Sequence, residues 1–563
     1  MQKRFRPVAL AGVAVVLLAG AAVFAGAARP SAKTTPLDKV DHIVVIYEEN
    51  HSFDNLYGGW EGVNGRANAT AAKTTQVDQQ GVPYTCLKQN DVNLAALPAT
   101  CTDSAHGFSS AFTNNWFMID PLIPATATTC PTPQTAFSFP NGVPNGQGLP
   151  GGCTRDLVHK FYQEQYQLNG GAQNRYMVGS DAIGLTMGQY DTTQLPIYKW
   201  LHEKNHPDYV IEDNFFQAAF GGSFLNHQYL IAAQAPTDAN APATQHSLVD
   251  TAGFPRNTYP LYIPLVGQTY RDGDFTVPCP APLPTLACGN YAVNTMQPSF
   301  EPSGTFGDKL VPQTAPTIGD RLTAKGVDWA WYAGGWADAA GLKDSPGYTN
   351  GPGPTCSNPN HDPSAKFVYP QCPDLVFQYH HQPFSYYTNY APGTPGRAHL
   401  QDEANFLNLI AASSKQGNDC DLKPVSFWKP IGEKNEHPGY ASTANGNSKL
   451  VSVLKSIQAS GCAKNTMVIV TYDEFGGQWD HVSPPGQGND NGPHDQFGPG
   501  TRIPALILAP YLKNGFGVDS AEHDTTSILS TIEHRYGLAP LTARDAAVND
   551  LSTAWSANRV SNK

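Results

Sequence analysis

The sequence predicts an α/β fold with a central, mostly parallel sheet flanked by helices, and three observations favour this class. Short runs are apolar throughout, as is typical of strands covered on both faces: HIVVIY from His42, VDWAWYA from Val327, MVIVTY from Met467 and IPALILAP from Ile503. Two of them follow helix-like segments, TIGDRLTAKG and SKLVSVLKSIQASG, and alternating helices and strands indicate a parallel sheet. Charged residues make up only 15% of the chain, whereas it holds 52 glycines and 47 prolines, which predicts long ordered loops.

The N-terminus has the pattern of a secretory signal peptide. Basic residues precede an apolar run that ends in the A-x-A cleavage pattern Ala25-Gly26-Ala27. We therefore expect residues 1–27 to be removed and the mature protein to be periplasmic or secreted. An uncleaved anchor is the alternative, because residues 7–28 are long enough to span a bilayer.

The cysteines indicate disulfides. The chain has 10 of them and no CxxC pair, which in an exported protein favours disulfides over a metal site. Spacing alone does not give the connectivity. Pairing of sequence neighbours is one possibility: Cys86 with Cys101, Cys130 with Cys153, Cys279 with Cys288, Cys356 with Cys372, and Cys420 with Cys462.

The remaining pattern predicts a single catalytic domain over residues 38–563, since no internal repeat or clear linker interrupts it. Segments 68–152 and 236–307 are rich in Pro, Gly and Thr and are predicted to be loop insertions. HDTTSILSTIEHRYGL, residues 523–538, predicts a helix near the end of the domain. The 35 basic and 47 acidic residues form no basic stripe, which argues against nucleic acid as a partner.

Acidic residues follow two of the predicted strands. Glu48, Glu49 and Asn50 end the first run, and Asp473 and Glu474 end MVIVTY. Active sites of open parallel sheets gather beyond the carboxyl ends of the strands. Clustered carboxylates repel one another unless a cation or protons neutralise them, and oxygen-rich ligand sets suit hard or borderline divalent ions. The pattern predicts a divalent metal site; solvated strand ends are the alternative.

A serine occupies a predicted strand-to-helix turn. In EDNFFQAAFGGSFLNHQYLIAAQ, Gly221 and Gly222 precede Ser223, and a helical apolar pattern follows. Backbone N–H groups and the positive end of the helix would favour an alkoxide at Ser223, as expected of a nucleophile. The alternative is an ordinary N-cap serine. The segment is not the G-x-S-x-G turn of α/β-hydrolases.

Four histidines in polar or loop contexts are further candidates: His106, His380, His381 and His481. An imidazolium group can bind a phosphoryl oxygen or protonate a leaving group, although any one of them could be a surface hydrogen-bonding residue. HEKNH, residues 202–206, matches the H-E-x-x-H pattern of zinc proteases. Pro207 disfavours a helical conformation at His206, so we reject that interpretation.

Several of these segments together resemble the bacterial phosphoesterase family that holds phosphatidylcholine-type phospholipases C and secreted acid phosphatases of the AcpA type. The resemblance extends from about residue 38 to 540 and rests on HIVVIYEENHSFDNLYG, FGGSFLNHQYL, YHHQPFSYY, YDEFGGQWDHVSPP, RIPALILAPY and HDTTSILSTIEHRYGL. It implies an alkaline-phosphatase-like fold and hydrolysis of phosphate esters through a phosphorylated nucleophile.

The resemblance also implies roles for individual residues. Glu49, Asn50, Asp473 and Glu474 are similar to the family's metal ligands, and Ser223 to the nucleophile, which also contacts the metal. The four histidines named above are similar in context to those that surround the phosphoryl group. The metal's identity and number stay open.

The substrate class follows less directly. The resemblance favours an acid phosphatase acting on small phosphate monoesters, because serine is the nucleophile in the family's acid phosphatase branch whereas its phospholipase branch tends to carry threonine. Larger phospholipases of the family also append C-terminal β domains, and only about 25 residues follow Leu538 here. Phospholipase C is the alternative, because aromatic segments such as FSYYTNY could contact lipid or a choline headgroup. An exported module that binds phosphate or metal without turnover is a third reading, which the complete set of catalytic residue types disfavours.

Overall fold

The computed structural model describes residues 35–88, 97–122, 156–180, 182–238, 247–250, 286–289, 291–303, 309–348, 377–413, 419–438, 441–487, 492–512 and 515–560. The predicted signal peptide, residues 1–27, lies outside these ranges, as do large parts of the predicted insertions 68–152 and 236–307. Among the described helices, none has the length and apolarity needed to cross a bilayer.

A nine-stranded sheet forms the centre of the fold. Its strands are β1 (His42–Glu48), β2 (Tyr209–Glu212), β3 (Trp329–Ala333), β4 (Leu400–Asp402), β5 (Val425–Lys429), β6 (Thr466–Tyr472), β7 (Ala505–Leu508), β8 (Phe516–Asp519) and β9 (Asn558–Val560). They lie in the order β4-β3-β5-β1-β6-β7-β2-β8-β9. The first five strands in this order, β4, β3, β5, β1 and β6, are parallel. Strand β7 is antiparallel to both of its neighbours, β6 and β2. Strand β8 is parallel to β2, and β9 is antiparallel to β8. The predicted α/β class is confirmed.

The longer helices are α1 (Phe161–Leu168), α2 (Ser223–Ala232), α3 (Ile318–Lys325), α4 (Glu403–Ala412), α5 (Thr443–Ala459) and α6 (Thr526–Tyr536). Shorter helices span Phe53–Leu56, Ala71–Thr74, Pro196–Leu201, Trp336–Ala339 and Ala543–Ala547. Helix α2 packs against α6 and α3, while α5 packs against α4 and the Pro196–Leu201 helix.

Short strands pair outside the central sheet. They are Cys101–Asp103 with Phe108–Ser110, Phe117–Met118 with Gly188–Gln189, Phe215–Phe216 with His523–Asp524, and Ser247–Asp250 with Leu286–Gly289. Two of the considered disulfides are present, Cys86–Cys101 and Cys420–Cys462. The other three pairings each involve residues outside the described part of the chain or its described side chains.

The predicted elements have recognisable physical causes. Helix α3 starts at a capping box between Thr317 and Asp320 and ends at Gly326, whose φ of 76° suits glycine. Every residue of β6 is buried, in line with its continuous apolarity. The IPALILAP run forms β7, which is antiparallel, because continuous apolarity indicates burial and not strand direction. The HEKNH segment follows the Pro196–Leu201 helix, so its histidines do not share a helix face.

Candidate active site

The ends of β1 and β6 bring the predicted acids together. The two strands are adjacent and parallel, with Glu48 opposite Tyr472, so the residues that follow them share one edge of the sheet. Asn50 adopts a φ of 61°, and its backbone N–H donates to Asp473 Oδ1 at 3.1 Å. The same oxygen accepts from the Glu474 N–H at 2.8 Å. Glu49, Asn50, Asp473 and Glu474 are all fully buried.

Ser223 joins this group from the first turn of α2. The N-cap is Gly222, so Ser223 lies inside the helix and is not the ordinary N-cap residue. The turn requires Gly221, which has a φ of 87° and whose Cβ would lie 2.5 Å from the Phe161 nitrogen. Ser223 Oγ donates to Glu49 Oε2 at 3.3 Å and lies 3.5 Å from Asn50 Oδ1. The nucleophile candidate and the predicted metal ligands therefore form one cluster.

Two cationic or potentially cationic groups contact Glu49. Lys429 ends the neighbouring strand β5, and its buried ammonium group pairs with Glu49 Oε1 and donates to the Tyr47 carbonyl at 2.9 Å. His381 Nε2 lies 2.7 Å from the same carboxylate oxygen. Burial alone would raise the pKa of Glu49, but the charges of His381 and Lys429 hold it well below its ordinary value.

Three further histidines, His159, His227 and His437, lie beside this cluster. In each, Nδ1 lies within 2.5 to 2.7 Å of a backbone carbonyl and donates to it. His437 Nε2 accepts from Asn50 Nδ2 at 2.9 Å, and His159 Nε2 lies 3.5 Å from Glu474 Oε1. The His227 ring stacks on His381 with centroids 5.4 Å apart. A histidine held through Nδ1–H leaves its Nε2 available to a metal or, when protonated, to a phosphoryl oxygen.

The four histidines predicted from sequence have different positions. His381 contacts Glu49, and the His380 ring lies 5.6 Å from that of His227. His106 instead contacts Asp103 Oδ1 at 2.9 Å, next to a separate hairpin. His481 contacts Asp54 Oδ2 at 2.6 Å.

The surroundings of His481 form a buried ion network around Arg502, which contacts Asp54 Oδ1 at 3.1 Å and Asp480 Oδ1 at 3.2 Å. The Gly476-Gly477 pair, both with positive φ, redirects the chain between Glu474 and this network. Among the described residues, neither His106 nor His481 forms a hydrogen bond or an ion pair with Ser223.

The cluster formed by Glu49, Asn50, Ser223, Asp473 and Glu474, here called the Ser223 cluster, fits a divalent cation. Asp473 Oδ2, Glu474 Oε1 and His227 Nε2 are buried without a hydrogen-bond partner among the described residues. Burial, and secondly the charge of Glu49, raises the pKa of Asp473 to about 8. Burial and the charge of Asp473 raise that of Glu474 well above its ordinary value. Acids that ionise reluctantly beside unpaired oxygen and nitrogen atoms are expected where a metal ion completes the site.

Known proteins are similar in sequence to this chain, one of them over most of its length. Phospholipase C A of Mycobacterium tuberculosis is 23% identical over 92% of this chain and 78% of its own length. Non-specific phospholipase C6 of Arabidopsis thaliana is 31% identical over 24% of this chain and 30% of its own. Among solved structures, the phosphonate monoester hydrolase of Silicibacter pomeroyi is 20% identical over 23% of each chain with a TM-score of 0.16, which carries no argument. The Phosphoesterase family model matches residues 40–539, so the chain belongs to that family and is a phosphoric ester hydrolase.

Proposed function

We propose that the protein is a secreted acid phosphatase that hydrolyses phosphate monoesters through a phosphoserine intermediate on Ser223. The position of Ser223 Oγ carries this proposal, since it lies in the first turn of α2, 3.3 Å from Glu49 Oε2. A hydroxyl group there has an acceptor for its proton, and the helix terminus favours negative charge on it.

The proposed reaction uses the clustered side chains. Glu49, Asn50, Ser223, Asp473 and Glu474 would hold a divalent cation, which lowers the pKa of the serine hydroxyl and offsets charge on the phosphoryl oxygens. Ser223 passes its hydroxyl proton to Glu49 as Oγ attacks phosphorus in line, so the P–Oγ bond forms as the bond to the alcohol oxygen breaks. A protonated histidine gives the leaving alcohol its proton. Water then cleaves phosphoserine, which releases inorganic phosphate and restores the hydroxyl group.

An acidic pH optimum follows from the histidines. Burial lowers the pKa of His159, and the charge of Lys160 lowers it further. Burial also lowers the pKa of His227 and His380 well below the ordinary value. These rings carry a proton only at acidic pH, so both phosphate binding and protonation of the leaving group should weaken as the pH rises.

Phospholipase C activity on phosphatidylcholine-type lipids is the second candidate, because the curated relatives described above carry that name. The described surroundings of Ser223 favour the monoester. His159, His381 and His437 are potential cations, and the ammonium group of Lys429 is buried against Glu49. When protonated, such groups can donate hydrogen bonds to the three terminal oxygens of a monoester, whereas a choline diester offers only two.

The deciding experiment compares p-nitrophenyl phosphate with p-nitrophenyl phosphorylcholine from acidic to alkaline pH. The samples are the mature protein, its Ser223→Ala variant and the control Ser448→Ala, which removes an exposed hydroxyl on α5. We expect monoester turnover that is fastest at acidic pH and is lost only in Ser223→Ala. Preference for the choline diester would establish the phospholipase alternative, and unchanged turnover in Ser223→Ala would refute a phosphoserine intermediate.

The proposal includes export and a single catalytic domain over residues 38–563. The Cys86–Cys101 and Cys420–Cys462 disulfides suit an oxidising compartment outside the cytoplasm, which agrees with the predicted signal peptide. Side chains from Glu49 to Glu474 converge on one edge of one sheet, which supports a single domain.

A further inference from the structure

A second cluster of metal-ligating side chains lies at the ends of β2 and β8. These parallel strands pair Glu212 with Asp519, so both carboxylates project from the same end of the strand pair. His523 follows in a short strand that pairs with Phe215–Phe216. The three side chains are almost completely buried, and one potential ligand atom from each lies within 4.8 Å of the others.

The hydrogen bonds of His523 orient its ring toward the two carboxylates. Nε2 lies 3.2 Å from the Asp550 carbonyl, to which it donates, and 3.1 Å from Thr553 Oγ1. A ring that donates through Nε2 presents a lone pair at Nδ1. Metal-ligating histidines typically have this arrangement, with the second nitrogen bonded to a backbone carbonyl.

The atoms that face one another in this cluster have no hydrogen-bond partner among the described residues. They are both carboxylate oxygens of Glu212, Asp519 Oδ2 and His523 Nδ1. Nδ1 lies 3.3 Å from Glu212 Oε2, but the contact lacks hydrogen-bond geometry. Buried polar atoms in proteins are almost always paired, so four unpaired atoms in one place require an explanation.

The negative charges of the two buried carboxylates also need a partner. Among the described residues, no lysine or arginine forms an ion pair with Glu212 or Asp519. Protons are the alternative to an ion: one on Nδ1 would pair with a Glu212 oxygen, and one on Glu212, whose pKa burial raises to about 7, would be shared with Asp519. A divalent ion would offset both carboxylates and engage all three side chains at once.

We propose that Glu212, Asp519 and His523 form a second divalent-cation site, separate from the Ser223 cluster. Two carboxylates and one imidazole suit Zn²⁺ or Mn²⁺, whereas Mg²⁺ and Ca²⁺ prefer oxygen ligands alone. The ion would join β2, β8 and the segment that leads into α6. Because β2 also leads into the turn that carries Ser223, the site would support the active site without contacting substrate.

Counting bound Zn²⁺ tests this site independently of the reaction. Chelator-treated protein is dialysed against Zn²⁺ and its zinc content per chain is measured for wild type, Glu212→Gln and Asp473→Asn. We expect Glu212→Gln to bind one ion fewer than wild type, and Asp473→Asn to keep the ion that Glu212→Gln loses. Equal zinc content in folded Glu212→Gln and wild type would overturn the proposal, even if the phosphatase proposal holds.

A second measurement needs no variant, in case Glu212→Gln does not fold. Crystals of the wild-type protein grown with Zn²⁺ are measured on both sides of the zinc absorption edge. An anomalous peak between Glu212, Asp519 and His523 supports the site. A water molecule there without anomalous signal, beside an occupied Ser223 cluster, overturns it.

Discussion

Replacing Glu164 by glutamine should show how strongly one buried carboxylate organises the turn of Ser223. Glu164 lies in α1, and its Oε2 accepts from the Gly221 N–H at 2.5 Å and from Gln217 Nε2 at 2.8 Å. Its Oε1 accepts from the Thr501 N–H at 2.6 Å and Oγ1 at 2.8 Å. One fully buried side chain therefore joins the Ser223 turn to the segment before β7.

The magnitude follows from these four bonds. A glutamine side chain has one oxygen and one NH2 group where glutamate has two oxygens. Its NH2 group would face either the Gly221 and Gln217 donors or the two Thr501 donors, which leaves two buried donors without an acceptor. Each buried donor without an acceptor costs about 1–3 kcal/mol, so Glu164→Gln should lower the free energy of unfolding by about 2–6 kcal/mol. We also expect kcat to fall by about tenfold or more, since small displacements of a nucleophile strongly reduce its reactivity.

The assay is denaturant unfolding followed by circular dichroism, together with turnover of p-nitrophenyl phosphate. Glu203→Gln is the matched control, because Glu203 pairs with Lys455 at the exposed surface and such pairs contribute about 0–1 kcal/mol. A Glu164→Gln protein whose free energy of unfolding lies within about 1 kcal/mol of wild type, the change expected of the control, would show that this carboxylate does not hold the turn.

Three other perturbations test different parts of the molecule. Lys429→Met should destabilise the protein by about 3–5 kcal/mol in denaturant unfolding, because it leaves the Glu49 carboxylate buried without its ammonium partner; a loss below 1 kcal/mol would mean that other groups compensate. Burial, and secondly its neighbour Asp545, raises the pKa of Glu533 to about 9. Since the folded form binds this proton more tightly than the unfolded chain, stability should fall as the pH rises from 5 to 9, and Glu533→Gln should remove that slope and be the more stable of the two proteins at pH 8; parallel stability curves for variant and wild type would contradict this. The Cys420–Cys462 disulfide closes a sequence separation of 42, so replacing both cysteines by serine should lower the free energy of unfolding by about 4 kcal/mol relative to oxidised wild type, and a variant as stable as wild type would show that the unfolded chain is not constrained in this way.

The sequence was informative where chemistry depends on strand ends. β1 and β6 are continuously apolar and are followed directly by acids, so their pairing as parallel neighbours was enough to bring Glu49 and Asp473 together. Ser223 could be singled out as a candidate nucleophile for a similar local reason, since the two preceding glycines allow a turn that leads into a helix.

Residues that reach the site through tertiary packing gave weaker signals. Strand β5, VSFWK, has Ser426 and Lys429 at buried positions, so it did not resemble an apolar run. The charge of Lys429 is tolerated there because Glu49 faces it from the neighbouring strand, a pairing that no local pattern reveals. His159 and His437 lie in loops far apart in the chain but both contact Asn50, and their ring centroids are 5.9 Å apart. Each donates its Nδ1–H to a nearby backbone carbonyl, which fixes the ring. This contact has no characteristic sequence spacing that could have revealed these histidines.

The buried acids of the active site are unequal, and this inequality gives the cationic side chains around Glu49 a purpose. His381 and Lys429 hold the pKa of Glu49 well below its ordinary value despite its burial, whereas Asp473 and Glu474 have raised pKa values. Glu49 is therefore the most readily ionised of the three acids, and a cation bound beside Asp473 and Glu474 would favour their ionisation and the release of protons. Ser223 contacts Glu49. In the proposed reaction, Glu49 thus orients the hydroxyl group of Ser223, and a bound cation would activate it.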